Sequence, residues 1–185
     1  MVSLMQLWGP IVLSAFLVFV ASSVIHMVLK WHASDYRGLS NEDEVRAAIR
    51  KGSPAQGQYV LPYCSDMKEM SSAPMTQKYT EGPNAMLRIM KPGVPNMGSA
   101  LGAWFGFNLV VSLFVAYVAT LALQPGADYM VVFRVTSAVG FIAYALGGIP
   151  ESIWMGQPWS NAVKSAVDGL IFGLLTGGAF GWLWP

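Results

Sequence analysis

The chain has 185 residues, of which 54% are hydrophobic and only 11% charged, against about 25% charged residues in an ordinary soluble domain. A formal net charge of +1 gives no sign of the strongly basic balance expected of a nucleic-acid-binding chain. A single cysteine, Cys64, excludes an internal disulfide.

A helix needs about 20 mostly apolar residues to cross the roughly 30 Å hydrocarbon layer of a bilayer, and four stretches meet that demand. The first covers 8–30. Pro10 falls in its first turn, where a missing N–H costs nothing, and Lys30 and Trp31 mark its far end. Ala21, Ser22 and Ser23 look like a small-residue cleavage site. However, Met1 to Gln6 holds no Lys or Arg and the apolar run continues to Leu29, so an uncleaved anchor is the expected state.

A polar domain follows over 31–98. Within it 41–51 predicts a short amphipathic helix: Glu42, Asp43 and Glu44 crowd its first turn, Arg50 and Lys51 its last, and Gly52 follows as a stop. Residues 58–61 and 85–90 have strand character and are expected to pair, with one helical turn near Met75 to Tyr79 between them. So small a domain buries little core of its own and is expected to lean on a partner or on the membrane helices.

The second span is 100–123, and Gln124, Pro125, Gly126 and Ala127 then make a tight turn into the third, 129–149. Pro150 is expected to end the third, and Ser160 or Asn161 to cap the fourth, 162–184. The predicted fold is therefore an all-α membrane protein with four transmembrane helices and a small α+β polar insert between helices 1 and 2.

Positive charge predicts the orientation. Lys30, at the end of the first span, and Arg37, Arg46, Arg50, Lys51, Lys68, Lys78, Arg88 and Lys91, between the first two spans, fall on one side together with Lys164. The positive-inside bias then places the insert in the cytoplasm and both termini outside the inner membrane of a bacterium.

Trp31, His32, Ala33, Ser34, Asp35 and Tyr36, with Asn41 to Glu44 just beyond, and the run from Gly57 to Pro62 carry a resemblance over most of the chain. In these residues the protein resembles a group of small bacterial membrane proteins of no known activity. The resemblance implies the multi-pass layout and brings no cofactor, substrate or site residue with it.

The clearest sequence pattern is glycine at every fourth position: Gly169, Gly173, Gly177 and Gly181 in the fourth span, and Gly98, Gly102 and Gly106 at the second. Residues four apart share a helix face, so each series makes a groove that admits another backbone. The ordinary use of such a groove is packing within the bundle. The functional use is docking of a second copy or another subunit.

Ionisable residues inside a bilayer are the other signal. Arg134 lies about 8 Å below the outer boundary and Asp168 about 9 Å from the inner one, at 1.5 Å per residue. They are therefore too far apart in depth to pair, and Arg134 is expected to reach outward, to Asp128 or lipid phosphate. Lys164, Glu151 and His26 fall near the inner end with Asp168. Such a group could relay protons or hold a polar headgroup, or could simply anchor helix ends.

Cys64, Met67 and Met70 offer soft sulfur ligands, and His26, His32 and Asp35 could serve a harder ion. Pro62 and the Ser-rich surroundings argue against a regular helix at Cys64, so the sequence predicts no metal and no cofactor. The chain has no Gly-Lys-Ser or Gly-Lys-Thr, no His-Glu-x-x-His, no Cys-x-x-Cys and no Gly-x-Ser-x-Gly. The expected function is non-enzymatic: an accessory or scaffolding subunit in contact with lipid and a homo- or hetero-oligomeric partner. The alternative is a small proton or solute carrier or channel using Arg134 and the Asp168 vestibule.

Overall fold

The computed structural model describes residues 2–185. It is mostly helical and forms two compact units, one made of the chain up to Tyr36 together with Asn96–Pro185, the other of Arg37–Pro95. Four helices are long and apolar enough to cross a membrane: Leu4–Val28, Met97–Ala122, Tyr129–Trp154 and Trp159–Trp182, with mean hydropathy of 2.4, 2.0, 1.7 and 1.3. They mark the chain as a multi-pass membrane protein.

The first of these comprises a 3-10 turn at Leu4–Leu7, α1 (Trp8–Ser23) and a widened last turn, Val24–Val28. The second is α4 (Met97–Ala122), whose N-terminal Asn96 side chain accepts a 3.0 Å bond from the Ser99 N–H. Next comes α5 (Tyr129–Ala145), capped by Asp128, whose carboxylate accepts from the Met130 N–H at 2.9 Å. Among the described residues the expected pairing of Asp128 with Arg134 is not formed. Gly126 takes φ +70° in the preceding turn, a conformation that favours glycine, and donates its N–H to the Pro185 carbonyl at 2.7 Å.

Pro150 does not end the third span. The helix breaks earlier, in a 3-10 turn at Leu146–Gly148, and resumes as α6 (Ile149–Trp154) with Pro150 in its first turn. Two consecutive glycines weaken a helix interior, whereas proline at a helix start lacks only an N–H that would be unpaired anyway. The final helix, α7 (Trp159–Trp182), has Pro158 at its N-cap and no side-chain cap bond. The expected cap by Ser160 or Asn161 is absent, and the Ser160 hydroxyl instead donates to the Asn161 side-chain oxygen at 3.3 Å.

Bundle packing rests on small residues. A Cβ placed on Gly169 would lie 2.6 Å from the Cβ of Ala145, and on Gly173 2.8 Å from the Ser137 carbonyl oxygen. On Gly177 it would lie 2.8 Å from the Phe133 carbonyl oxygen, and on Gly181 2.7 Å from the Tyr129 ring. The glycine face of α7 is thus filled by α5 along its whole length. Leu7, Val115, Ala116, Ala119, Val132 and Phe180 form one fully buried cluster, and Val18, Ile25 and Phe172 form another.

Polar side chains also turn inward. Ser14, Asn108, Ser112, Thr136 and Thr176 are completely covered, while Phe16, Val110, Phe114 and Leu170 are exposed on the outside. Lipid is as apolar as leucine and gives an outward-facing hydroxyl no partner, so this inside-out distribution is the one a bilayer favours. One hydroxyl pair, Ser14 to Ser112 at 2.9 Å, ties α1 to α4.

The second unit contains α2 (Glu42–Lys51), β1 (Gly57–Leu61), α3 (Ala73–Glu81) and β2 (Ala85–Ile89). The expected strand pair forms: β1 and β2 run antiparallel from Gly57 opposite Ile89 to Leu61 opposite Ala85. Among the helix and strand residues of this unit only Met75 is buried.

Candidate functional site

The site begins where α1 loses its regular geometry. Across Val24–Val28 the backbone widens by one residue per turn, with the Leu29 N–H bonded to the Val24 carbonyl at 3.0 Å. Turns of this kind re-aim side chains and recur at functional sites. The turn carries His26, whose Nδ1 lies 2.9 Å from the Ser22 carbonyl oxygen. That carbonyl can only accept, so Nδ1 carries the proton.

At Lys30 the chain turns with φ +50°, a left-handed value uncommon for a side-chain-bearing residue. It then runs into the 3-10 turn Ala33–Asp35. The reversal lays the His32 ring flat against His26, with centroids 4.7 Å apart and planes 8° from parallel. His32 bridges two carboxylates: Nδ1 lies 2.6 Å from Asp35 Oδ2 and Nε2 lies 2.7 Å from Asp168 Oδ2. The Asp168 residue is only 6% exposed. Lys164, one turn earlier on α7, bonds the other Asp35 oxygen, the Ser34 hydroxyl at 2.8 Å and the Trp31 carbonyl at 3.2 Å.

The result is an ionic chain, Lys164 to Asp35 to His32 to Asp168, that joins the segment after α1 to α7. Burial of the His32 ring works against its charged form. The hydrogen bonds and charges of Asp168 and Asp35 more than offset that, and hold its pKa above the ordinary imidazole value. For Asp35 the bond from the Lys164 ammonium dominates over burial, and with His32 it holds the carboxyl below the ordinary range.

These groups face a cavity of about 630 Å³ at the end of the bundle, with His26, His32, Asp35 and Asp168 on its polar side and Trp104 and Tyr144 on its aromatic side. Trp104 is fixed by a 2.7 Å bond from its indole N–H to the Ser22 hydroxyl.

Of the ionisable residues expected at the inner end, the structure brings His26 and Asp168 onto this cavity and sets Lys164 behind it. Lys164 turns to Asp35 rather than to Asp168, whose Oδ2 is engaged by His32. Lys preceding Asp by four residues is also the weaker order for a helical ion pair. Glu151 is exposed in the first turn of α6, and Arg134 is exposed on α5; neither lines the cavity. His32 and Asp35 complete the site from a segment that the sequence assigns to the polar domain. Their spacing of three, beside Trp31 and just past an apolar span, is the available clue.

The glycine series divide in the same way. Gly169, Gly173, Gly177 and Gly181 are covered by α5, while at Gly102 and Gly106 of α4 an added Cβ would meet nothing within 4 Å, and Gly98 is exposed.

Fold and site together define a multi-pass membrane protein with a buried-to-half-buried His–Asp cluster at one end of its bundle. Comparison of the chain with protein-family models, with curated proteins and with solved structures gives no match.

Proposed function

We propose that the protein is a small carrier or channel that takes a cationic or hydrogen-bonding solute into the vestibule formed by His26, His32, Asp35 and Asp168. The observation that carries this reading is the meeting of two imidazoles and two carboxylates, from both ends of the bundle sequence, on one cavity of about 630 Å³. Ionisable groups are costly in and near a bilayer, and their concentration on one cavity favours a ligand role over scattered anchoring. Arg134 has no part in it. The test is reconstitution: vesicles containing the purified protein should accumulate a small cation that empty vesicles exclude, and a protein that moves no cation ends the reading.

In this reading the chain lies in the inner membrane of a bacterium with the polar unit in the cytoplasm and both termini outside, as the ten Lys and Arg residues on one side favour. A reporter fused after Pro185 should then be active only on the outer side. Activity inside would reverse the vestibule's sidedness.

A second reading, an accessory subunit that docks on a membrane partner, is supported by the open glycine face at Gly98, Gly102 and Gly106. It predicts a dimer or a co-purifying subunit in mild detergent, and a monodisperse monomer without companion would remove it.

A further inference from the structure

We propose that His26, His32 and Asp168 form a binding site for a divalent first-row transition metal ion, with Zn²⁺ as its representative. The inference rests on reading the vestibule as a ligand site, and names the class of ligand.

Three ligand atoms, one from each residue, lie within 4.8 Å of one another. A tetrahedral ion with bonds of about 2.1 Å spaces its ligands roughly 3.4 Å apart, so the widest pair would close by roughly 1.4 Å at most. His32 Nε2 and Asp168 would spread slightly as the ion replaces the proton they share, and that proton leaves to water. Because the two stacked rings are only 8° from parallel and an ion must lie in the plane of each ring it binds, the His26 ring has to tilt out of the stack; it is on an exposed residue in the widened turn and can pivot about its bond to the Ser22 carbonyl.

The Ser22 carbonyl holds His26 in the required tautomer, and Asp35 is placed to keep the Nδ1 proton of His32 once the ion displaces the one on Nε2. A metal-bound histidine characteristically gives its second N–H to a carbonyl or carboxylate, which fixes the ring and raises its basicity. His26 has the Ser22 carbonyl at 2.9 Å in that role, and His32 has Asp35 at 2.6 Å. Asp35 is itself anchored by Lys164. The His26 Nε2 has no hydrogen-bond partner among the described residues.

Two imidazoles and one carboxylate select borderline ions over Ca²⁺ and Mg²⁺, which prefer all-oxygen shells. Three protein ligands leave a position open toward the cavity, as in sites that exchange water or a substrate rather than closed structural ones.

The experiment uses full-length protein in detergent, without a polyhistidine tag, equilibrated with Zn²⁺ and then freed of excess. About one zinc per chain is expected by elemental analysis, undiminished by a large excess of Mg²⁺ or Ca²⁺. Substitution with Co²⁺ should give visible absorption of a four- or five-coordinate site. His26→Ala, which removes an exposed ring bonded only within its own helix, should weaken zinc at least tenfold without altering elution volume or helicity, and His32→Gln should do the same. Cys64→Ser should change nothing. Absence of retained zinc, or retention unchanged in both histidine variants, overturns the site. Zinc bound at these residues with no flux in vesicles would leave the site standing and remove the carrier reading. Flux of another cation by protein that holds no zinc would do the reverse.

Discussion

Gly173→Leu should leave no folded bundle to purify, and even Gly173→Ala should lower the melting temperature of the detergent-solubilised protein. A Cβ at this position would stand 2.8 Å from the Ser137 carbonyl oxygen and 2.9 Å from the Phe141 nitrogen, both backbone atoms of α5. No rotamer change relieves that overlap; α5 and α7 would have to separate. Overpacking of a tight interior typically costs about 1–3 kcal/mol. The helix-propensity gain of alanine over glycine, about 1 kcal/mol, offsets part of it. Leucine adds a branched side chain where none fits and loses the contacts to either side. Gly178→Ala, five residues along the same helix, is the control: its Cβ would meet nothing within 4 Å, so it should be neutral or slightly stabilising. Equal melting of Gly173→Ala and Gly178→Ala would mean that α5 and α7 do not approach through this face.

The spans were legible because bilayer thickness demands about 20 apolar residues, and no other constraint in the chain is so strong. Their ends were less so. Local signals compete there: Pro150 reads equally as a stop or as a first-turn residue, and only the glycine pair before it, Gly147 and Gly148, decides that it opens α6. The glycine period showed that two faces could admit a backbone, not which backbone would come. Contact with α5 is a long-range fact that a four-residue repeat cannot encode.

The site was half legible for a related reason. Asp168 and His26 stood out because charge and imidazole are rare within apolar runs. The sequence groups His32 and Asp35 with His26 as possible ligands of a harder ion but gives no reason to join them to Asp168, because they sit in a polar stretch where such residues are ordinary. What recruits them is the reversal at Lys30, at φ +50°, and neither periodicity nor composition marks a single left-handed residue. Glu151 illustrates the opposite error. The sequence sets it near Asp168, but α6 places it in an exposed first turn, where its charge suits the helix N-terminus.

Asp168→Asn should lower uptake into vesicles at least about tenfold at limiting cation while the variant keeps the wild-type elution volume and helicity. Asparagine has nearly the size of aspartate, and its side-chain oxygen can still accept from His32 Nε2, so the packing around this 6% exposed residue survives. The charge does not. With Lys164 engaged by Asp35, Asp168 is the negative group left to balance His32 or an incoming cation. A hydrogen bond to a charged group contributes about 1.5–3 kcal/mol, which corresponds to a loss of roughly 10- to 100-fold in the affinity of a cation held there. Glu151→Gln and Arg134→Gln remove charges outside the cavity and should leave uptake within about twofold of wild type, since neither side chain lines it. If all three variants lose uptake alike, general charge on the membrane surface drives the movement. If Asp168→Asn alone keeps full uptake, the cavity is not the route.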